Sequence, residues 1–346
     1  MTPVLKIGIA TGNATAESLA LVADAERLGI DSVWIPEAWM FDGLTPAAFV
    51  AGRTETMRIG TACVQLGSRS PALLAMSALS LQAMSDGRFI LGVGSSGPQV
   101  MEGWHGVPFD KPVTRTRETI EIIRQIVSGE RLVYDGEVHR LPLPDSQGKS
   151  LRSPVANWPV PIYVASLGPA NLGLTGALSD GWIGTAFLAE HADVYLGPIR
   201  EAAEAAGRSC SDVEITVAAG LEFTDDIETA GRRHAAGYAF TIAAMGSSKT
   251  NFYNQAYTRM GFGDAVTEVQ RLWATGDRAA AGAAVPIEIG LRTNLIGDDD
   301  HIRERLRAYR NAGVDTIRVG VDLNADALDD LARLMDLVGA VNAELA

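Results

Sequence analysis

Short runs of consecutive apolar residues recur along the chain, each bounded by glycine, proline or charged residues. Apolar side chains on successive positions are typical of strands whose two faces are both buried, as in a parallel sheet. The pattern predicts eight strands, at Val4–Ala10, Ser32–Ile35, Arg58–Val64, Phe89–Val93, Ile162–Ala165, Trp182–Thr185, Glu214–Ala218 and Thr316–Gly320.

Helical patterns fill the intervals between these strands. In "TAESLALVADAERLG", Leu19 and Val22 fall on one face, and Ile120, Ile123 and Val127 do so in "TRETIEIIRQIVSG". The junctions "RLGIDSVWIP" and "NAGVDTIRVG" share a helix end, a glycine cap and a strand, and "MSDGRFILGV" and "LSDGWIGTAF" share Ser-Asp-Gly before a strand. Repeated strand–helix units without an interdomain linker predict an α/β fold, a (β/α)8 TIM barrel, as a single domain over residues 1–346.

Two stretches exceed a minimal barrel and predict insertions after strands 4 and 7. The first, residues 131–161, carries an Asp135-Gly136 turn between short alternating runs, which predicts a hairpin followed by a proline-rich loop. The second, residues 225–295, is long enough for two or more helices. Insertions of this kind build the mouth of a pocket or a subunit contact.

A glycine pattern at the end of the fourth strand matches a dinucleotide-binding fingerprint. Gly92-x-Gly94-x-x-Gly97 is followed about twenty residues later by Glu118 and Glu121. The fingerprint requires a helix that opens at the third glycine, but here the next helix is predicted near residue 114. The glycines are therefore expected to form a loop at the barrel rim, where backbone N–H groups approach an anionic or planar ligand.

Composition and charge narrow the class of protein. A net charge of −13 argues against a nucleic-acid surface, and no apolar run approaches the ~18 residues of a membrane span. The first residues carry no recognisable signal peptide. Two cysteines, Cys63 and Cys210, form no disulfide framework or zinc spacing, which favours a cytoplasmic protein without a metal site.

Several longer motifs together resemble one family. They are "DSVWIPEAW", "IGTACVQLGSRSPALLAM", "MSDGRFILGVGSSGPQVMEGWHGVPFDKPVTRTRE", "VPIYVASLGPAN", "SDGWIGTAF" and "MGSSKTNFYN". The chain resembles the bacterial luciferase-like superfamily from about Leu5 to Val338, and within it the oxidoreductases that use the deazaflavin coenzyme F420. The resemblance implies a TIM barrel, a cofactor across the C-terminal face of the barrel, and a homodimer.

The resemblance also implies which residues hold the cofactor. Glu37 would make the first contact after strand two, where many members of the family carry Asp. A non-prolyl cis peptide would lie at or beside Ala62–Cys63, with Val64 following. The loops after strands four and five would complete the site through Ser95, Ser96 and Gly97, and through Leu167, Gly168, Ala170 and Asn171, the latter set next to a phosphate at a helix N-terminus.

Departures from the family's sugar-phosphate dehydrogenases indicate a different substrate. The chain has Ala38 where those enzymes have His, Gly97 where they have a catalytic Glu, and Leu188 where they have a phosphate-binding Lys three residues past Thr185. The substrate pocket is instead expected to be apolar and aromatic, lined by Trp39, Phe41, Trp104, Thr185 and Phe187.

The resulting hypothesis is hydride transfer between reduced coenzyme F420 and a small, largely apolar substrate with a carbonyl, imine or activated double bond. Glu37, His105 or bound water could supply a proton. Two alternatives stay open: an FMN-dependent monooxygenase fed by a separate flavin reductase, and a non-catalytic flavin-binding relative. Phe252, Tyr253 and Tyr257, at helical spacing, are interpreted as core or subunit-contact residues.

Overall fold

A closed barrel of eight parallel strands forms the centre of the molecule. The computed structural model describes residues 4–11, 15–155, 158–246, 251–321 and 325–345. The barrel strands are β1 (Lys6–Thr11), β2 (Ser32–Ile35), β3 (Arg58–Thr61), β4 (Phe89–Gly94), β5 (Ile162–Ala165), β6 (Gly181–Gly184), β7 (Glu214–Phe223) and β8 (Thr316–Val321). Each strand pairs in parallel with the next, and β8 pairs with β1 to close the ring. The predicted TIM barrel is confirmed.

Helices cover the outside of the barrel. Outside the second insertion they are Ala16–Ala20, Val22–Arg27, Leu44–Ala51, Pro71–Met84, Pro98–Met101, Pro112–Val127, Pro169–Leu178, Asp193–Ala205, Asp299–Asn311 and Ala325–Ala343, with 3-10 turns at Ala189–His191 and Cys210–Asp212. In the described part of the chain, no helix is long and apolar enough to cross a membrane.

The third strand differs from its predicted extent of Arg58–Val64. It ends at Thr61, the peptide Ala62–Cys63 is cis as expected, and pairing with β4 resumes at Val64–Gln65. The backbone therefore changes direction where β3 reaches the C-terminal end of the barrel.

Both predicted insertions are present. Tyr134–Asp135 pairs antiparallel with Arg140–Leu141 to form the first, a hairpin. The second contains the helices Ile227–Gly237, Ala239–Ala244, Phe252–Tyr257, Gly263–Ala274, Arg278–Ala283 and Ile287–Thr293, with a π-helical turn at Thr258–Phe262. A short strand, Leu295–Gly297, then pairs with the end of β7. Residues 247–250 of the "MGSSKTNFYN" motif lie outside the described residues.

Large aromatic side chains and small residues together fill the barrel interior. Trp34 and Tyr163 are buried with rings 5.8 Å apart, and they lie over glycines of neighbouring strands. A Cβ at Gly60 would come within 2.3 Å of the Trp34 ring, and one at Gly181 within 2.6 Å of the Tyr163 ring. Glycine at these two positions therefore makes room for the aromatic rings that plug the barrel.

Charged residues close the N-terminal end of the barrel. Arg58 bonds Asp31 and both carboxylate oxygens of Glu214, at 2.6 to 3.0 Å, and the Tyr163 hydroxyl donates to Glu214. An open depression of about 430 Å³ lies beside these groups, and Glu26 on its wall already accepts backbone N–H groups. The charged groups of Arg58, Asp31 and Glu214 are therefore already paired with one another.

Candidate active site

A cavity of about 550 Å³ opens at the C-terminal end of the barrel. Its wall is formed by the loops after β2 to β6 and by the insertion after β7. Because strands of a TIM barrel all end at this face, residues far apart in sequence converge there. The structure brings together on the cavity wall these residues singled out from the sequence: Glu37, Trp39, Ala62, Cys63, Ser95, Ser96, Gly97, Leu167, Gly168, Ala170, Asn171 and Thr185.

Phe187 does not reach the cavity and corrects the expected pocket. Its side chain is fully buried and packs against the rings of Trp182, Tyr195 and Tyr309, at centroid distances of 6.0 to 6.1 Å. Leu188, the position of the family's phosphate lysine, is also buried in the core. Aromatic packing therefore turns this segment away from the site.

Four further predicted residues lie off the cavity wall. Val64 is buried in the core because it follows the change of direction after β3. Phe41 and Trp104 are half or more exposed on the outer surface, at 51% and 66%. His105 is also exposed and is not part of the cavity wall. Of the aromatic residues predicted to line the substrate pocket, only Trp39 therefore lies on the cavity wall.

Glu37 is held by four N–H donors. Its carboxylate makes a two-point ion pair with Arg69, with both N–O distances 2.7 Å. The backbone N–H groups of Gly43 and Gln65 donate to the same two oxygens, at 2.9 and 3.1 Å. With its side chain only 6% exposed and its oxygens occupied, Glu37 joins the loops after β2 and β3. This geometry favours an anchoring role over the proposed acid–base role.

Gln65 connects His105 to the cavity wall. The Gln65 Nε2 donates to the Ala38 carbonyl at 2.7 Å, which turns its Oε1 toward the His105 Nε2 at 2.6 Å. Since Oε1 can only accept, this arrangement makes His105 Nε2 the donor. The proton on Nε2 is therefore already engaged.

The floor of the cavity is built from small residues. A Cβ at Gly94 would lie 2.5 Å from the sulfur of Cys63, so glycine at this position makes room for the Cys63 side chain beside β4. Burial raises the pKa of the Cys63 thiol to about 12, so it remains protonated at neutral pH. Cys63 thus acts as a small, partly buried packing residue rather than as a nucleophile.

A buried cation lies beneath this floor. Arg318 on β8 is 5% exposed, donates to the Gly184 carbonyl at 2.8 Å and stands 5.6 Å from the Trp34 ring. No carboxylate among the described residues pairs with it, and its Nε has no hydrogen-bond partner. Burial lowers the pKa of its guanidinium to about 10.

The loop after β5 ends in a helix N-terminus at the cavity. Gly168 caps the helix Pro169–Leu178 without a side-chain acceptor, so the N–H groups of Ala170 and Asn171 have no intrahelical partner. The Asn171 Oδ1 is buried without a hydrogen bond in the described structure. Arg259, from the insertion, donates to the Leu167 carbonyl at 2.6 Å. The N–H groups and the helix dipole favour an anionic group here.

The insertion after β7 supplies a wall that the sequence interpretation missed. Phe240, Met245, Phe252 and Tyr253 face the cavity, whereas Tyr257 is buried in the core as expected. Helical spacing shows which of these residues share a face of a helix but not what that face contacts. The sequence indicated this wall only through the prediction that the insertion forms the mouth of a pocket or a subunit contact.

The loop that carries the glycine pattern differs from the predicted loop because a short helix follows it. Gly97 does precede a helix, Pro98–Met101, although the long helix begins only at Pro112. The acid that the fingerprint would assign to a ribose is used elsewhere: the Glu118 carboxylate accepts N–H groups of the hairpin, from residues 137–139, at 2.7 to 3.3 Å. The helix after Gly97 has only four residues, and the Glu118 carboxylate is already bonded to the hairpin. This loop therefore lacks the features of a dinucleotide-binding site.

The chain is similar in sequence to known proteins along most of its length. A model of the luciferase-like monooxygenase family matches residues 4–316. A Mycobacterium tuberculosis protein provisionally assigned as a coenzyme F420-dependent oxidoreductase is 38% identical over 325 residues, which cover 91% of this chain and 93% of that protein. The F420-dependent glucose-6-phosphate dehydrogenase of Kineococcus radiotolerans is 32% identical over 64% of this chain and 69% of its own.

A solved structure agrees in fold. The coenzyme F420-dependent tetrahydromethanopterin reductase of Methanopyrus kandleri matches 98% of this chain and 99% of its own, with a TM-score of 0.79 at 21% identity. The two chains thus share their overall fold along nearly their whole length. The chain belongs to the luciferase-like monooxygenase family.

Proposed function

We propose that the protein is a coenzyme F420-dependent oxidoreductase that transfers a hydride between the reduced deazaflavin and a small, largely apolar substrate. The substrate would carry a carbonyl, an imine or an activated double bond. Relatives named for the same cofactor support this proposal. The observation that carries it is the helix N-terminus at Gly168, which faces the same cavity as the apolar wall of the insertion.

The residues present fit the cofactor. A phosphate suits the free N–H groups of Ala170 and Asn171, and the partnerless Asn171 Oδ1 suits a hydroxyl donor such as one of the ribityl chain. The bound deazaflavin supplies a carbon that gives or takes a hydride. The protein binds and orients both partners and excludes water from between them.

The rest of the cavity favours an apolar substrate. Val113, Ile183, Phe240 and Phe252 line it, and none of its described wall residues is Lys or Arg. A second phosphate dianion, beside that of the cofactor, would need cationic side chains or further N–H donors, because an unpaired buried charge costs several kcal/mol. Sugar phosphates are therefore expected to be poor substrates.

Titration by fluorescence quenching tests the cofactor. We expect a dissociation constant at least tenfold lower for coenzyme F420 than for FMN, a difference of about 1.4 kcal/mol. Asn171→Asp places a negative charge at the phosphate site and should weaken F420 binding at least tenfold. Asn311→Asp, on the exposed end of a distant helix, is the matched control and should leave binding unchanged.

Other outcomes would redirect the assignment. Equal or tighter FMN binding, with oxygen consumption after reduction, would support the monooxygenase alternative. Binding of either cofactor without turnover of any acceptor would support a non-catalytic flavin-binding protein.

We also propose a homodimer. The helix Pro71–Met84 exposes Leu73, Met76 and Met84, at 48%, 61% and 57%, an apolar face that a second copy would cover. Light scattering should give twice the chain mass. Met76→Glu should shift the protein toward monomer, whereas Leu151→Glu, in the proline-rich loop, should not. A monomeric wild type at micromolar concentration would contradict the dimer.

A further inference from the structure

Tyr253 presents a free phenol to the cavity. It lies in the first turn of the helix Phe252–Tyr257, where the Asn251 side chain accepts its backbone N–H at 3.0 Å and fixes the start of the helix. Its side chain lines the cavity, and its hydroxyl makes no hydrogen bond within the described structure. Burial, with a contribution from Cys63, raises the pKa of Tyr253 to about 12, so the phenol carries its proton at neutral pH.

The other acidic groups at this site are engaged. The oxygens of Glu37 accept four N–H donors, and the Nε2 proton of His105 is directed to Gln65. The Cys63 thiol packs against Gly94 in the floor. A thiol is a weak hydrogen-bond donor compared with a phenol. Among the acidic groups of the described wall, Tyr253 is thus the one whose proton is both available and carried by a strong hydrogen-bond donor.

We propose that Tyr253 is the catalytic acid of this enzyme and that the substrate is a ketone or aldehyde. The inference rests on the proposed function and adds the proton donor and the substrate class. As a hydride from the reduced cofactor forms the new C–H bond, the carbonyl π electrons move to oxygen, which takes the proton from the Tyr253 hydroxyl. An alcohol results, and the phenolate regains a proton from water at the open mouth.

The acidity of Tyr253 selects among the three substrate types. An alkoxide is a stronger base than a phenolate, so proton transfer from Tyr253 to the developing alkoxide is downhill. A protonated imine is a much stronger acid than a phenol, so Tyr253 would not generate one. An activated double bond needs its proton at carbon, which accepts protons more slowly than oxygen does. The carbonyl group therefore fits this donor best.

The test compares Tyr253→Phe with Tyr257→Phe. Both variants remove one hydroxyl from the same helix, and the Tyr257 hydroxyl is buried without a partner and away from the cavity. Reduced coenzyme F420 is mixed with cyclohexanone, acetone or benzaldehyde, and return of the oxidised cofactor's absorbance is followed. Tyr253→Phe should slow hydride transfer about 100-fold or more. Tyr257→Phe should stay within threefold of wild type.

Two measurements do not depend on turnover. The affinity of Tyr253→Phe for coenzyme F420 should stay within twofold of wild type, since the phenol serves the substrate. The infrared C=O band of cyclohexanone bound beside the oxidised cofactor should lie at lower frequency in wild type than in Tyr253→Phe, because a hydrogen bond weakens the C=O bond.

Each outcome decides the matter. A Tyr253→Phe variant with wild-type rate and carbonyl frequency would overturn the assignment. A wild type that binds coenzyme F420 but reduces none of the three carbonyl compounds would also overturn it and leave the cofactor proposal standing. Failure to bind coenzyme F420 would instead refute the proposed function itself.

Discussion

The buried charge of Arg318 should lower the stability of the folded protein relative to an apolar side chain at the same position. Its guanidinium has one carbonyl partner, Gly184, and no paired carboxylate among the described residues. Methionine has a similar length, is apolar and adapts its shape to the space available. We therefore expect Arg318→Met to raise the free energy of unfolding at neutral pH.

The size of the effect follows from the acidity of the group. A fall in the Arg318 pKa from 12.5 to about 10 corresponds to about 3 kcal/mol of destabilisation at neutral pH, at about 1.4 kcal/mol per pKa unit. Loss of the hydrogen bond to Gly184 and of the contact with Trp34 offsets about 1–2 kcal/mol. The net expected stabilisation is about 1–2 kcal/mol.

The pH dependence gives a second, independent signature. Because the pKa of Arg318 is lower in the folded state, the cost of its charge is fully present below about pH 10 and is relieved as pH rises from there toward 12.5. The advantage of Arg318→Met should therefore shrink above pH 10. Urea denaturation followed by tryptophan fluorescence at pH 7 and at about pH 10.5 measures both quantities.

Arg58 provides the matched control. It is an arginine of the same barrel whose guanidinium pairs with Asp31 and Glu214. Arg58→Met should destabilise the protein by about 2–4 kcal/mol, since it leaves two carboxylates unpaired. If Arg318→Met were less stable than wild type by more than about 1 kcal/mol, or its effect did not change with pH, the reasoning from burial would fail.

Three further predictions test the floor, the closed end and the core. Gly94→Ala would bring a Cβ within 2.5 Å of the Cys63 sulfur, so we expect at least a tenfold loss of coenzyme F420 affinity by fluorescence; unchanged affinity would contradict the tight floor. Burial tends to raise the pKa of Glu214, but the ion pair with Arg58 outweighs burial and holds that pKa below its usual 4.5. The ion pair therefore stabilises the folded state above pH 4.5, and this stabilisation is lost as the pH falls below 4.5. Glu214→Gln should flatten the urea midpoint against pH between pH 5 and 3. Leu188→Lys places a cation at a fully buried position and should destabilise the protein by about 4 kcal/mol or more, seen as lost soluble expression or a lowered Tm; a stable variant that accepts sugar phosphates would instead restore the family's phosphate site.

The barrel was predictable because its strands are short and buried on both faces. β2 and β5 have the bounds that the apolar runs predicted, and a glycine cap marked the junction before β2. β7 was predicted to end at Ala218 but runs to Phe223, because its last residues pair with Leu295–Gly297. That partner lies more than seventy residues away, so no local pattern records it.

The sequence predicted which residues lie at the C-terminal face of the barrel, because barrel geometry determines this. It did not predict which side chains face the cavity, because the packing of loops determines that. Residues that directly follow a parallel strand must lie at the same barrel face, so Glu37, Cys63 and Gly168 meet there. Which aromatic side chain faces the cavity depends on contacts made by remote elements. Phe187 turns into the core against Tyr309, more than a hundred residues later, and the insertion provides the aromatic wall instead.

The extension of β7 also brings the two ends of the second insertion together. Phe223 pairs with Gly297, so residues 224–296 leave and return at neighbouring points of one ladder. Closing so long a loop adds little entropic cost when its length changes, since that cost grows only with the logarithm of length. The segment supplies the aromatic wall of the cavity, whereas the loops after β2 to β6, with the helix N-terminus at Gly168, are encoded before it. Replacing residues 224–296 by the corresponding segment of a relative would therefore change the wall around Phe240 and Phe252, and the Arg259 contact to Leu167, without altering the sequence of the loops after β2 to β6.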